Sequence, residues 1–441
     1  MKRRLTKSAA YAATALMLSM PLRAAAAGDR AEGPLTLEKT IQLVRNNNPS
    51  LKASADEITA ADARVTRSRS SLFPQITASA GYTYLDPVSE MSIGGSVPLQ
   101  FIPNNNYDAK VTAKATIFDF GKRGNSIDIA QSGKKSAEHS LEIARRDLSL
   151  QAVQLFYGIL FLHENIRVEQ KEIAALNKAL EFSTKRYKAG SATRFDLLST
   201  EVRIAAARSK ALDLEHALHR SELTLRRLTG IADNYPLTLQ GSFSATPASA
   251  ADAGLVARAL ERRPELKLSR EAEITAAKRR ALAGKEGMPV VTGSISYGTA
   301  NGYQPDITEM RKNIAGNVHI EIPLFTGFRN RADRQEAAAL MHAASQRRLD
   351  TEQQVKTEVE EMLDAVQTAS KKIMTTDAQV KQAELAAEHA RTRYTNGMAT
   401  TLDLLDTEAS LSQAELARIQ ATYEYVINSY TLKKATGEVF W

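Results

Sequence analysis

A segment that occurs twice constrains this chain more than any other feature in it. Residues 186–202 read RYKAGSATRFDLLSTEV and residues 393–409 read RYTNGMATTLDLLDTEA, with ten of the first sixteen positions identical at an offset of 207. In each copy a glycine, Gly190 or Gly397, stands where a helix has to stop, because a left-handed residue closes the last turn cheaply only without a Cβ. Thr193-x-x-Asp196 and Thr400-x-x-Asp403 then fit a capping box, in which hydroxyl and carboxylate satisfy the free amides of a new first turn. Each copy reads as the tip of a helical hairpin, near 187–196 and near 394–403.

The repeat extends over the whole chain. At the same offset Val111 matches Val318, Phe118 matches Phe325, and Leu228-Thr229-Gly230 matches Ala435-Thr436-Gly437. Upstream the offset is 215, pairing Pro49 with Pro264, Pro74 with Pro289 and Tyr82 with Tyr297, so eight extra residues fall between Tyr82 and Val111. Such an insertion belongs in a surface loop. The 441 residues therefore divide into repeats at 34–230 and 253–437, a Pro-, Ser- and Ala-rich linker at 231–252 expected on the outside, and a short tail at 438–441.

The first 27 residues carry Lys2, Arg3, Arg4 and Lys7, an apolar run and an alanine-rich end, the pattern of a secretory signal peptide. With Arg23 these are five of the charges behind the formal +8, leaving +3 for the rest, and no basic stripe interleaved with aromatics points to nucleic acid. Zero cysteines exclude a disulfide framework and thiolate chemistry. No later run of about 18 apolar residues can form a membrane helix, but strands of about 9–11 alternating residues suffice for a membrane barrel.

Four segments alternate with period 2: about 75–84, 108–118, 290–298 and 315–324. Along 108–118, Ala109, Val111, Ala113, Ala115 and Ile117 oppose Asp108, Lys110, Thr112, Lys114 and Thr116. Four strands cannot bury a face or hide their edges alone, so they are expected to close with strands of other copies, apolar side to lipid and charged side to a wet lumen. Residues 122–188 contain no proline, predicting a helix about 100 Å long. In the second repeat Val355, Val359, Met362, Val366, Ala369 and Ile373 begin a 4-3-4-3 row that ends at Tyr394, and a matching row starts at Leu405. That is coiled-coil spacing. The helices at 191–228 and 50–71 are together nearly as long as the 122–188 helix, so two short helices stacked end to end can flank one long one.

The twofold helix-strand-strand-helix-helix plan, the Arg-Tyr-x-x-Gly-x-x-x-x-x-Asp-Leu-Leu tips and the leader resemble the TolC-type outer-membrane efflux proteins. The resemblance implies a mainly α fold with a small β part: a homotrimer in which four strands per chain close a twelve-stranded outer-membrane β-barrel, continued by a periplasmic α-barrel of antiparallel coiled coils. It also implies a passive exit duct of a tripartite efflux pump or type I secretion system, with a periplasmic adaptor, an inner-membrane pump of RND or ABC type, outer-membrane lipid, and no cofactor. Carried over by position, the tip residues implied to narrow or hold the entrance are Asp196, Tyr394, Asp403 and Asp406. Where some relatives place a latching Arg, this chain has Ala399, and Arg194 is the candidate substitute. Tyr187 is the first-repeat counterpart of Tyr394.

Each of these has a plainer reading. Asp196 and Asp403 can simply cap helices, Asp406 can be a solvated carboxylate, and Tyr394 and Tyr187 can be seam residues. His216 and His219, beside Glu215 and Glu222, could approach a metal only with a further ligand. His319, Lys110 and Lys114 fall on the predicted polar strand faces and either line a pore or are merely solvated. No phosphate loop, nucleophile elbow, zinc motif or dinucleotide fingerprint suggests an enzyme. The competing reading is a periplasmic or secreted coiled-coil scaffold without channel activity.

Overall fold

The structure is a computed structural model that describes residues 33–91, 94, 99–232, 237–241, 243 and 254–440. The predicted leader and most of the linker lie outside these residues. The first repeat contains α1 (Leu37–Asn47), α2 (Pro49–Ser70), β1 (Gln75–Tyr84), β2 (Glu90–Met91), β3 (Leu99–Gln100), β4 (Asn105–Phe118), α3 (Lys122–Lys188) and α4 (Arg194–Thr229). The second contains α5 (Leu255–Arg262), α6 (Pro264–Lys285), β5 (Val290–Ala300), β6 (Arg311–Glu321), α7 (Arg329–Thr395) and α8 (Thr401–Thr436). Repeated elements match in length: α3 and α7 have 67 residues each, α4 and α8 have 36, α2 and α6 have 22.

At every level the chain is a ribbon four elements wide. The sheet is ordered β1-β4-β5-β6, antiparallel throughout. Beneath it the helices lie in the order α2, α3, α6, α7, and further down α4, α3, α8, α7. The long helices run through both helical levels, and the short ones replace one another end to end, as the lengths suggested. Gly230 and Gly437 close α4 and α8 at φ +70° and +74°, and a Cβ on either would stand 3.0 Å from Asn47 Cβ or 2.8 Å from Arg262 Cβ. Glycine is needed there both for the backbone and for the approach of the next helix.

The two junctions differ in chemistry. In the first repeat, Asn47 and Asn48 donate to the C=O groups of Thr229 (3.1 Å) and Leu228 (3.2 Å). In the second, fully buried Arg146 donates to the Lys434 carbonyl and pairs with Glu265 at 2.9 Å, while Arg263 binds Glu265 at 3.1 Å and also Glu358. Burial pushes the Glu265 carboxyl up, but Arg263 and Arg146 outweigh it and hold the group at about 2.

The apolar core follows the heptad rows. Val366, Ala369 and Ile373 of α7 pack on Ala421 and Tyr425 of α8, and Ala152, Val153 and Phe156 of α3 pack on Leu37, Ile41 and Val44 of α1.

Several boundaries depart from the sequence reading. Asn105 and Asn106, expected in a loop, are in β4 opposite Tyr84 and Thr83. The last strand runs from Arg311 to Glu321 and not over 315–324, because Pro323 cannot continue a ladder and Leu324 stands 93% exposed beyond it. The loop joining β1 and β4 is the longer of the two hairpin loops, which is where the extra residues fell, and it carries the unanticipated pair β2–β3. The described part of the 231–252 segment is docked and does not hang free: Leu35 bridges Leu239, and Gly241 lies against Phe156 because a side chain there would meet the ring at 3.0 Å.

Candidate functional site

Two features can do chemistry or transport: the paired hairpin tips and the two-faced sheet. At each tip the long helix ends in a Schellman motif. Gly190 N–H donates to Tyr187 C=O (3.0 Å) and Ser191 N–H to Arg186 C=O (2.9 Å). In the second tip the same bonds join Gly397 to Tyr394 (3.0 Å) and Met398 to Arg393 (2.8 Å). Both glycines have positive φ, +70° and +74°. Thr193 and Thr400 then cap α4 and α8 with complete capping boxes.

Asp196 and Asp403 are the carboxylates of those boxes. Asp196 accepts from the Thr193 amide (2.8 Å) and hydroxyl (2.7 Å), and Asp403 from those of Thr400 (2.9 and 2.8 Å). The Thr193 hydroxyl and amide hold Asp196 below the usual carboxylate range, and the Thr400 amide and hydroxyl do the same for Asp403. Both therefore stay anionic at neutral pH. Asp406, one turn on, pairs with Arg203 of α4 at 2.7 Å, tying the two tips together across α3.

Tyr394 and Tyr187 occupy equivalent positions but different surroundings. Tyr394 is buried, with its hydroxyl 2.7 Å from Ser183 Oγ and 3.3 Å from Thr401 Oγ1, its ring 5.2 Å from Phe182, and the Arg186 guanidinium 5.6 Å from the ring centre. Tyr187 is exposed. The difference arises because α8 packs on α3 as well as on α7, whereas among the described residues α4 packs mainly on α3. Sequence periodicity could not separate these two tyrosines. Arg194 is exposed at the start of α4 with no ion-pair partner among the described residues, and Ala399 is half-buried against the cluster around Tyr394. Sequence reasoning missed Arg203, and also the pair formed by Arg391 with buried Glu408 just above the tip. The Arg203–Asp406 contact joins residues far apart in sequence, and no local pattern announces it. His216 and His219 are exposed on α4, and no cluster of three metal-ligating side chains occurs among the described residues.

In the sheet, register sorts the side chains. Directly opposed residues share a face, so Ala78, Val111, Tyr297 and Ile314 form one row and Ile76, Ala113, Ile295 and Gly316 another, all on an apolar face. The opposite face carries Gln75, Lys114, Ser294 and Asn317 in one row, and Thr116, Thr292 and His319 in the next. Lys110 also lies on this polar side, 3.3 Å from Asp108. Exposed aromatics flank the strands at both ends, Phe73, Phe118, Phe325 and Phe328 toward the helices and Tyr82, Tyr84, Tyr107 and Tyr303 toward the loops. This banding is characteristic of barrels in lipid. Among the described residues no helix is long and apolar enough to cross a membrane.

Chirality fixes which way the helix faces look. On a descending strand, an L-residue whose side chain points at the viewer has its N–H and C=O to the left. Tyr107, on the apolar face of β4, accepts from Asn301 N–H (3.2 Å), so from the apolar side β5 lies left of β4. Below, α6 is then on the left of α3, joined by Lys278–Asp128, and α2 on the right, joined by Lys134–Asp62. Following the right-handed winding of α4 and α8 from this frame turns Arg203 and Asp406 to the same side as the polar face of the sheet.

The family profile described as outer membrane efflux protein matches the chain twice, over residues 40–231 and 255–438. The pyoverdine export outer membrane protein OpmQ of Pseudomonas putida is 25% identical over 414 residues, covering 91% of this chain and 85% of that one. The outer membrane protein TolC of Vibrio cholerae is 22% identical over 400 residues, 89% and 88% of the two chains. The crystal structure of the outer membrane protein VceC from Vibrio cholerae superposes with a TM-score of 0.78 at 22% identity, over 92% of this chain and 97% of that one. With its fold and both of its repeats matched, the chain belongs to the outer membrane efflux protein family.

Proposed function

We propose that three copies of this chain close into one continuous tube, twelve strands in the outer membrane and twelve helices across at each level below, serving as the passive exit duct of a tripartite efflux pump or type I secretion system. One observation carries this. Among the described residues the ribbon leaves an edge unpartnered on each side, β1 with α2 and α4 on one and β6 with α7 on the other. Unpaired strand edges bounding a sheet with one apolar and one polar face are stable only when closed. Exposed Phe195, Leu198, Val202 and Leu212 on α4, with Met374 and Leu385 on α7, supply apolar surface for the same closure.

In this reading Asp196, Asp403 and Asp406 ring the periplasmic entrance, and Arg203 holds Asp406 in the closed arrangement. Tyr394 locks α7 and α8 to α3. Arg194 and Tyr187, both exposed at the tip, face the neighbouring hairpin or the adaptor. A periplasmic adaptor driven by an inner-membrane pump of RND or ABC type would open the tips by rotating the second hairpin outward, and lipid would cover the apolar face of the sheet. The test is the purified protein in detergent: a threefold particle that conducts ions in planar bilayers supports the reading, and a stable single chain, or a trimer without conductance, refutes it.

A further inference from the structure

Between α2, α3 and α6, two to three turns below the sheet, lies a groove of about 440 Å³ whose charged lining is entirely cationic. Arg64 and Arg67 come from α2 and Arg279 from α6, over small residues that include Ala61, Ser126 and Gly133. No Asp or Glu lines it. Arg64, Arg67 and Arg279 are all exposed, and among the described residues none of their guanidinium groups has a hydrogen-bond or ion-pair partner. The nearby carboxylate Asp62 is engaged instead by Lys134 at 2.6 Å. Guanidinium groups left free around a floor of small side chains leave room and charge for an anion, and their fork geometry suits phosphate and carboxylate oxygens.

Helix handedness places the groove on one side of the ribbon. Descending from β4 with α6 on its left, α3 winds clockwise seen from the sheet, which turns Ser126, Ala130 and Gly133 to the side of the polar sheet face. The ascending α2 and α6, wound the opposite way in the same view, turn Arg64 and Arg279 to that side as well. Above the groove on the same side, Lys114 also has no ion-pair partner among the described residues, whereas Lys110 is neutralised by Asp108. The groove and the sheet face above it thus present cations that have no ion-pair partner among the described residues.

We infer that the upper lumen is an anion-binding collar, in which Arg64, Arg67 and Arg279, with Lys114 above them, receive phosphate- or carboxylate-bearing solutes on their way out. The inference rests on the proposed tube, in which three copies bring three such grooves around one axis. A low-dielectric wall focuses that field and raises the local concentration of anions. Its reach is about 10 Å at 0.1 M salt, so the effect is strongest in dilute electrolyte.

The experiment reads the reversal potential of the trimer in planar bilayers under a dilute KCl gradient, with inorganic phosphate then added on the sheet side. The parent is compared with the double variants Arg64→Ala/Arg279→Ala and Arg64→Lys/Arg279→Lys. The expected result is that the alanine pair lowers the chloride-to-potassium permeability ratio by about threefold and abolishes the response of the current to phosphate. The lysine pair, which keeps the charge, retains the parent ratio. An alanine pair that conducts with the parent's ratio and phosphate response overturns the collar. Loss of conductance in parent and variants alike would instead overturn the tube itself.

Discussion

Replacing Glu265 by Gln tests whether the ionic junction of the second repeat stabilises the molecule as a charge cluster or only as packing. Glu265 is 24% exposed and its partners Arg146 and Arg263 are 1% and 6% exposed, so solvent screens the cluster little. Its carboxyl falls from 4.5 to about 2, which corresponds to roughly 3 kcal/mol of preferential stabilisation of the folded state. The sign follows from the depressed value. The unfolded chain binds the proton more readily, so the contribution is complete above 4.5 and is lost as pH falls toward 2. Gln keeps the volume and a hydrogen-bonding carbonyl, but it removes the charge facing two buried guanidinium groups, a loss of about 3–5 kcal/mol for a broken buried pair. Urea unfolding of the detergent-solubilised protein, followed by helical circular dichroism across that pH window, measures it. The parent should exceed E265Q by roughly 3 kcal/mol near neutrality, with the gap closing as pH approaches 2. A gap that stays constant through the window would refute the electrostatic reasoning, because a packing defect does not titrate.

Three further outcomes are expected. Tyr394→Phe leaves the ring packing intact but removes the hydroxyl that bonds Ser183 and Thr401, costing about 1 kcal/mol in thermal or urea stability and raising the open probability of single channels. Gly397→Ala meets no atom within 4 Å, so only its φ of +74° opposes it, and a loss of about 1–2 kcal/mol should appear in tip-selective hydrogen exchange with the rest of the chain unchanged. Asp406→Ala breaks an ion pair whose carboxylate is 61% exposed, so stability changes by less than about 1 kcal/mol, while block of single channels by divalent cations from the helical side weakens.

The sequence made the repeat, the strands and the tips legible because each rests on local backbone chemistry. Gly190 and Gly397 mark helix ends through φ, Thr193 and Thr400 mark starts through their capping boxes, and alternation marks the sheet faces. The pattern failed where a tertiary partner overrode it. Asn105 and Asn106 look like loop residues, but β1 offers them a ladder. Tyr187 and Tyr394 are interchangeable as letters and separate only when α8 covers one of them. Arg203, Arg64 and Arg279 are ordinary helix-surface cations in sequence, and what distinguishes them is the position of carboxylates contributed by other helices, present for Arg203 and absent for the other two.

That placement suggests how duplication and asymmetry divide the work. The repeats share geometry wherever the chain must turn: the same Schellman tips, the same capping boxes, the same glycines abutting the next helix. They differ where charge is set. The first junction is held by neutral Asn47 and Asn48, the second by Arg146, Glu265, Arg263 and Glu358. A neutral amide contact worth about 1 kcal/mol can slide or re-form during a rotation of helices, whereas breaking a buried ion cluster costs several times that. If the tips open by rotation, the second junction is the stiffer pivot, and motion should concentrate in the coiled coil below it. Spin labels on α7 above and below the junction would then diverge on opening only below, and equal displacement of both would show that the ionic junction does not act as a pivot.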